Sequence, residues 1–129
     1  RIISGVGQFG ISGNGSDSGD ERVRAIHIPE ESGSMLTEPF KTGRSATFSP
    51  ALTPVNIHLF TQFGGGTPAE VYVGSLISQS RVIGFLYGDN LPAQKPIGDI
   101  EPLAIFLSQA GEAIEKSLLK RQLHERGTP

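Results

Sequence analysis

Residues 70–90 read EVYVGSLISQSRVIGFLYGDN and residues 99–123 read DIEPLAIFLSQAGEAIEKSLLKRQL. In the first stretch, two runs rich in β-branched and aromatic residues, Glu70 to Ile77 and Arg81 to Tyr87, flank Ser78-Gln79-Ser80. That pattern predicts a tight hairpin of buried strands. The second stretch predicts a helix from Ile100 to Leu123. Asp99 is a suitable N-cap, Pro102 falls in the first turn where its missing N–H is harmless, and Gly127 and Pro129 close the far end. At ~1.5 Å per residue such a helix is roughly 35 Å long, more than a small sheet can cover. At about 100° per residue, Leu103, Leu107, Ala110, Ile114 and Leu118 share one stripe, with Phe106 and Ala113 beside it. The stripe is expected to lie on the sheet. Ile105, Leu119 and Leu123 project the opposite way. They are either a second packing surface, for a dimer or another partner, or ordinary scattered surface hydrophobes.

Toward the N-terminus the signals are weaker. Ile2 to Ile11 reads as a strand, Ser12 to Asp20 as a flexible Gly/Ser connection, and Val23 to Ile28 as a second strand stopped by Pro29. Together they predict a hairpin with a long loop. Ser32 or Ser34 could cap a short helix through Met35, Leu36 and Phe40 that ends at Gly43. Thr47 to Pro54 reads as loop or edge strand. Asn56 to Phe63 reads as a short helix stopped by Gly64-Gly65-Gly66.

Length and composition bound the possibilities. The 129 residues fit one domain with one core, spanning 1–129, and 36% hydrophobic with 19% charged residues describes a globular chain. A net charge of -2, with no basic block, gives no pull toward nucleic acid. No apolar run approaches the ~20 residues that span a bilayer, and zero cysteines remove disulfides, thiolate nucleophiles and thiolate metal sites together. A cytoplasmic location is the expectation. Because the chain starts at Arg1 and lacks a signal segment, it reads as a piece of a longer multidomain protein.

Motifs that could carry chemistry are sparse. Gly5-Val6-Gly7-Gln8-Phe9-Gly10 matches the dinucleotide pattern by letter, yet a Gly/Ser loop follows where a helix must open. Glycines in a closely packed strand explain it better. Asn14, Ser16, Asp17, Asp20 and Glu21 offer oxygen ligands, but not at the spacing of a calcium loop. His27, His58 and His124 are expected to be structural or surface histidines. No catalytic residue and no metal site can be nominated. Asp89 and Asn90 are expected to cap the turn that leads into the Pro92-to-Pro96 loop.

With those residues in place, Glu70 to Leu123 resembles the second half of a GAF domain. The match lies in Arg81-Val82-Ile83-Gly84-Phe85-Leu86-Tyr87-Gly88-Asp89-Asn90, a strand with a mid-strand glycine and an acidic end. A variable loop and a long helix follow it. The hairpin and Thr42-Gly43-Arg44 make the first half consistent, although the helix that usually opens such domains is absent from this sequence. The resemblance implies an α+β fold: a central antiparallel sheet, the long helix on its back and short helices over its front. It also implies that a neighbouring element crowds Gly84, so that Gly84→Val would cost roughly 1–3 kcal/mol. In function it implies a non-catalytic sensory or regulatory module that transmits through its C-terminal helix to an output domain in the same polypeptide. A small-molecule receptor and a ligand-free dimerisation domain remain as alternatives. Phe40, Arg44, Phe48, Asn56, Tyr72, Phe85 and Tyr87 are the candidate ligand-binding residues, and Ile105, Leu119 and Leu123 the candidate homodimer surface. No cofactor is expected: a covalent bilin needs a cysteine, and the cyclic-nucleotide signature of the family is missing. The methionine sulfoxide reductase branch likewise needs cysteines.

Overall fold

Both halves of the chain are mixed helix and strand, in an α+β arrangement that a computed structural model describes for residues 2–8, 19–29 and 31–127. In chain order the elements are β1 (Ile2–Ser4), α1 (Gly19–Arg24), β2 (His27–Pro29), α2 (Thr37–Thr42), β3 (Ala46–Phe48), α3 (Pro54–Gln62), β4 (Val71–Ser78), β5 (Arg81–Asp89) and α4 (Glu101–Gly127). No helix among the described residues is long and apolar enough to cross a membrane.

The β4–β5 hairpin forms as expected, but only β4 is a buried strand. β5 is an edge strand, none of its residues is buried and Ile83 is 50% exposed. The hairpin loop is the two residues Gln79 and Ser80, both at positive φ, because Ser78 already pairs with Arg81. Positive φ at both central positions gives a turn whose twist matches that of the strands it joins. Between the pairs Leu76–Gly84 and Ile77–Val82 the register shifts by one, which leaves Ile83 unpaired as a bulge in β5 near this turn. On its other edge β4 pairs antiparallel with β3, which makes a three-stranded sheet in the order β3-β4-β5. The edge-strand option for Thr47 to Pro54 therefore holds for its first residues. The expected single central sheet does not: among the described residues β1 and β2 pair only with each other.

Alternation along β4 divides the molecule into layers. Val71 and Val73 point to the front, into a core with Ile26, Ile28, Met35, Leu36, Leu59 and Phe60. Tyr72 and Gly74 point to the back, where Leu107 of α4 lies against Gly74. Helices α2 and α3 thus cover one face of the sheet and the long helix the other.

Three local expectations are corrected. Val23 to Ile28 is not a strand, because its first residues belong to α1. Buried positions fall at Gly19, Val23 and Ile26, a helical spacing, and change to an alternating spacing only from Ile26 to Ile28. Asp20 and Glu21 in the first turn, with Arg22 and Arg24 in the last, suit the helix dipole. The first strand is only Ile2–Ser4, and Phe9 to Ile11 and Ser12 to Ser18 lie outside the described residues. Helix α2 starts at Thr37 after Leu36 and has no side-chain cap. Ser34 instead turns the chain just before it, its hydroxyl accepting from the Leu36 amide at 3.2 Å. Its C-terminal end is as expected, with Gly43 left-handed at φ 71 and its N–H on the Pro39 carbonyl.

α3 starts two residues before Asn56, the expected start. Thr53 caps it, accepting from the Asn56 amide, and Pro54 occupies the first turn. Gly64, Gly65 and Gly66, all at positive φ, end it as expected. For α4, Asp99 accepts from the Glu101 amide at 3.0 Å, in line with its reading as a helix start. The buried side of α4 is narrower than the sequence stripe. Leu107 and Gly111 are buried and Ala110 and Ile114 half-buried, while Leu103, Leu118 and Phe106 are exposed.

Two glycines let α4 sit this close, and neither is Gly84. A Cβ at Gly111 would fall on the Ile77 carbonyl oxygen, and one at Gly74 would collide with Leu107 Cδ1 and lie 2.6 Å from the Tyr72 hydroxyl. A Cβ at Gly84 would meet only Leu76, at 3.8 Å, an ordinary contact. The helix crosses the hairpin over β4, so the crowding expected at Gly84 falls one strand away.

Candidate functional site

On the front of the molecule a cleft of about 490 Å³ opens between α2, β3 and the segment leading into α3. Met35, Pro39, Ala46, Phe48 and Ala51 give it apolar walls, and Glu38, Arg44 and Asn56 supply its distinctive polar groups. A concave apolar surface with few polar groups is the usual form of a small-ligand site.

Local structure positions each wall. Asn56 is buried in the first turn of α3, and its amide bridges two loops. Its Oδ1 accepts from the Met35 amide at 2.8 Å and its Nδ2 donates to the Ala51 carbonyl at 2.9 Å. Asn56 therefore holds the cleft open by tying Met35 to Ala51. Arg44 is fixed by its backbone: its N–H donates to Thr42 Oγ1 at 3.2 Å, and its carbonyl accepts from Ser75 Oγ at 3.4 Å. The guanidinium is left without a protein partner among the described residues, as is the Glu38 carboxylate. An anionic and a cationic group thus stand on the rim of one apolar cleft, both available to a ligand.

The seven candidate ligand-binding residues separate into groups. Arg44, Phe48 and Asn56 meet at this cleft. Phe40 lies on the other side of α2, in a more polar hollow of about 500 Å³ with Lys41, Ser80 and Arg81. Its ring stands 6.3 Å from that of Phe85. Phe85 and Tyr87 pack against the front core, where Tyr87 stacks on Phe63 at 4.4 Å. Tyr72 is a correction: strand alternation turns it to the back, 2% exposed, with its hydroxyl buried and unpartnered. Sequence reasoning missed Met35, Glu38, Pro39 and Ala51. They come from segments with no shared periodicity, and only folding brings them together.

The end of β5 is a polar clasp. Tyr87 donates to Asp89 Oδ2 at 2.9 Å, the Leu91 amide donates to Asp89 Oδ1 at 3.1 Å, and Asn90 Oδ1 accepts from the Glu70 amide at 3.3 Å. Asp89 and Asn90 therefore cap this turn, as expected. Burial, and secondarily the Asp89 carboxylate, pushes the Tyr87 phenol well above its ordinary value of 10.0. Tyr87 stays a neutral donor throughout the physiological range.

Catalytic and metal arrangements were not expected from the sequence, and the described residues contain no cluster of His, Cys, Asp or Glu suited to a metal ion. His27 lies in β2 with Ser4 Oγ 3.1 Å from its Nδ1, and His58 is exposed on α3. Gly5, in the glycine pattern, lies hard against the Val23 carbonyl, which suits close packing of backbone on backbone. The calcium-type residues Asn14, Ser16 and Asp17 lie outside the described residues, whereas Asp20 and Glu21 sit in α1. Comparisons with protein-family models, with curated proteins and with solved structures gave no match.

Proposed function

We propose that this chain is a non-catalytic regulatory module of the GAF type, acting in the cytoplasm. A small molecule in the front cleft would bias the packing of the long back helix, which passes the signal to an output domain. The observation that carries this reading is the apolar cleft rimmed by the side chains of Glu38 and Arg44, which have no partner among the described residues. Its chemistry suits a ligand of amino-acid type, with an apolar body against Phe48 and Met35 and a charged end on Arg44. The three-stranded sheet between cleft and helix supplies a mechanical connection. β3 lines the cleft, and its neighbour β4 carries the helix.

The test is a thermal-shift and calorimetric panel of amino acids and small apolar carboxylates. A ligand present at about 100 times its Kd should stabilise the fold by about 2.7 kcal/mol. Arg44→Ala should weaken that binding about tenfold or more while leaving the unliganded melting temperature unchanged, since Arg44 is exposed. A panel without a single binder, or binding indifferent to Arg44, refutes the ligand assignment. Turnover of esterase, phosphatase or oxidoreductase substrates, abolished by one substitution, would refute the non-catalytic assignment. A ligand-free dimerisation domain is the second reading, favoured by the exposed apolar side chains of α4.

A further inference from the structure

The outer side of α4 carries its own pattern. From Lys116 to Glu125 every side chain is exposed, so this part of the helix buries no residue against the described part of the molecule. An unsupported helical stretch of that length is marginal in water. It nevertheless bears Leu119 and Leu123, 46% and 68% exposed, and Ile105 near the other end is 51% exposed. The side opposite the sheet contact runs Ile105, Gln109, Glu112, Lys116, Leu119, Leu123. The steps alternate between four and three residues, the spacing of a two-helix seam.

This seam complements itself in one direction. In an antiparallel pair centred between Glu112 and Lys116, Ile105 faces Leu123 of the second copy, Gln109 faces Leu119, and Glu112 faces Lys116. The two-fold axis repeats each pairing. In a parallel, in-register pair, Glu112 would meet Glu112 and Lys116 would meet Lys116, like charge on like charge. We propose that a second copy of this chain covers this side of α4, with the two helices antiparallel and a closed two-fold interface between them. This rests on the reading of α4 as the output surface and adds the identity and direction of its partner. The apolar pairs close the two ends of the seam, and the central charge pairs set direction and register.

The absence of cysteine makes a clean cross-linking test possible. Glu112→Cys and Lys116→Cys chains are prepared separately, distinguished by mass, and oxidised alone and as a mixture. A disulfide needs its Cβ atoms about 3.5–4.5 Å apart. Antiparallel pairing predicts a cross-link between the two variants in the mixture and none in either alone. Glu112→Lys and Lys116→Glu should each raise the dimer dissociation constant about tenfold or more, and the double exchange should restore it. Both sites are exposed, so circular dichroism should show every variant folded. Cross-linking of either variant with itself means parallel pairing and overturns the proposal while leaving the output-surface reading intact. A chain that is monomeric by light scattering at millimolar concentration overturns both, whereas the cleft is judged separately by ligand binding.

Discussion

Gly111→Ala tests whether α4 lies on β4 as described. In an exposed helix the exchange would stabilise by about 1 kcal/mol, because alanine loses less backbone entropy than glycine. Here the new methyl would land on the Ile77 carbonyl oxygen, with the carbonyl carbon at 3.3 Å and the amide nitrogen at 3.8 Å. These are backbone atoms of a paired strand and cannot swing aside. The helix would have to retreat on the order of 1 Å to reach ordinary contact. Overpacking of this kind costs about 1–3 kcal/mol. The retreat also strips cover from Leu107, whose full burial contributes roughly 1.5–3 kcal/mol. Set against the propensity gain, the net expectation is a loss of about 1–3 kcal/mol. For a chain of this size that lowers the melting temperature by about 4–12 °C. Scanning calorimetry reads it, with Ser108→Ala on the exposed side of the same helix as control. The control should gain a few tenths of a kcal/mol. If Gly111→Ala melts higher than the parent, α4 does not approach β4 at this point and the back layer is misplaced.

Gly74→Ala should be destabilising for a related reason, as its Cβ meets Leu107 and Tyr72, whereas Gly84→Val should be tolerated to within about 1 kcal/mol. Equal losses at the two positions in urea denaturation would contradict the placement of α4 over β4. Tyr72→Phe removes a buried hydroxyl with no partner and should stabilise by about 1 kcal/mol; a clear loss would mean the hydroxyl has an acceptor after all. With the Tyr87 phenol raised in the folded state, the unfolded chain releases this proton first. Its contribution is therefore complete below pH ~10 and falls above that, by at most about 1.4 kcal/mol per pH unit. Tyr87→Phe should flatten that part of the alkaline stability profile, and an unchanged profile would remove Tyr87 as its source. Leu119→Glu with Leu123→Glu should abolish self-association and keep the circular dichroism. Leu107→Glu with Ile114→Glu should unfold the chain, and the reverse outcome would mean the helix is turned the other way.

Most of what the sequence determined was carried by neighbouring residues. Thr53-Pro54 and Gly64-Gly65-Gly66 bracket α3, Gly43 ends α2, Asp99 starts α4, and the β-rich runs around Gln79-Ser80 make the hairpin. Caps, turns and alternation act over a few residues, so they are legible without knowledge of the fold. The outward direction of Ile105, Leu119 and Leu123 was legible for the same reason, since it follows from helical periodicity. What only the tertiary structure decided depends on which distant segments meet. Val23 to Ile28 alternates well enough to suggest a strand, yet packing made its first residues a helical turn. Gly84 and Gly74 both sit within strands of one hairpin, and only the path of α4 over β4 makes Gly74 the crowded one. Tyr72, a candidate ligand-binding residue from its type, is turned to the back by its place in β4. The cleft draws Met35, Arg44, Phe48 and Asn56 from separate segments, and no local pattern encodes their meeting, because it is set by the packing of α2 and α3 against the sheet.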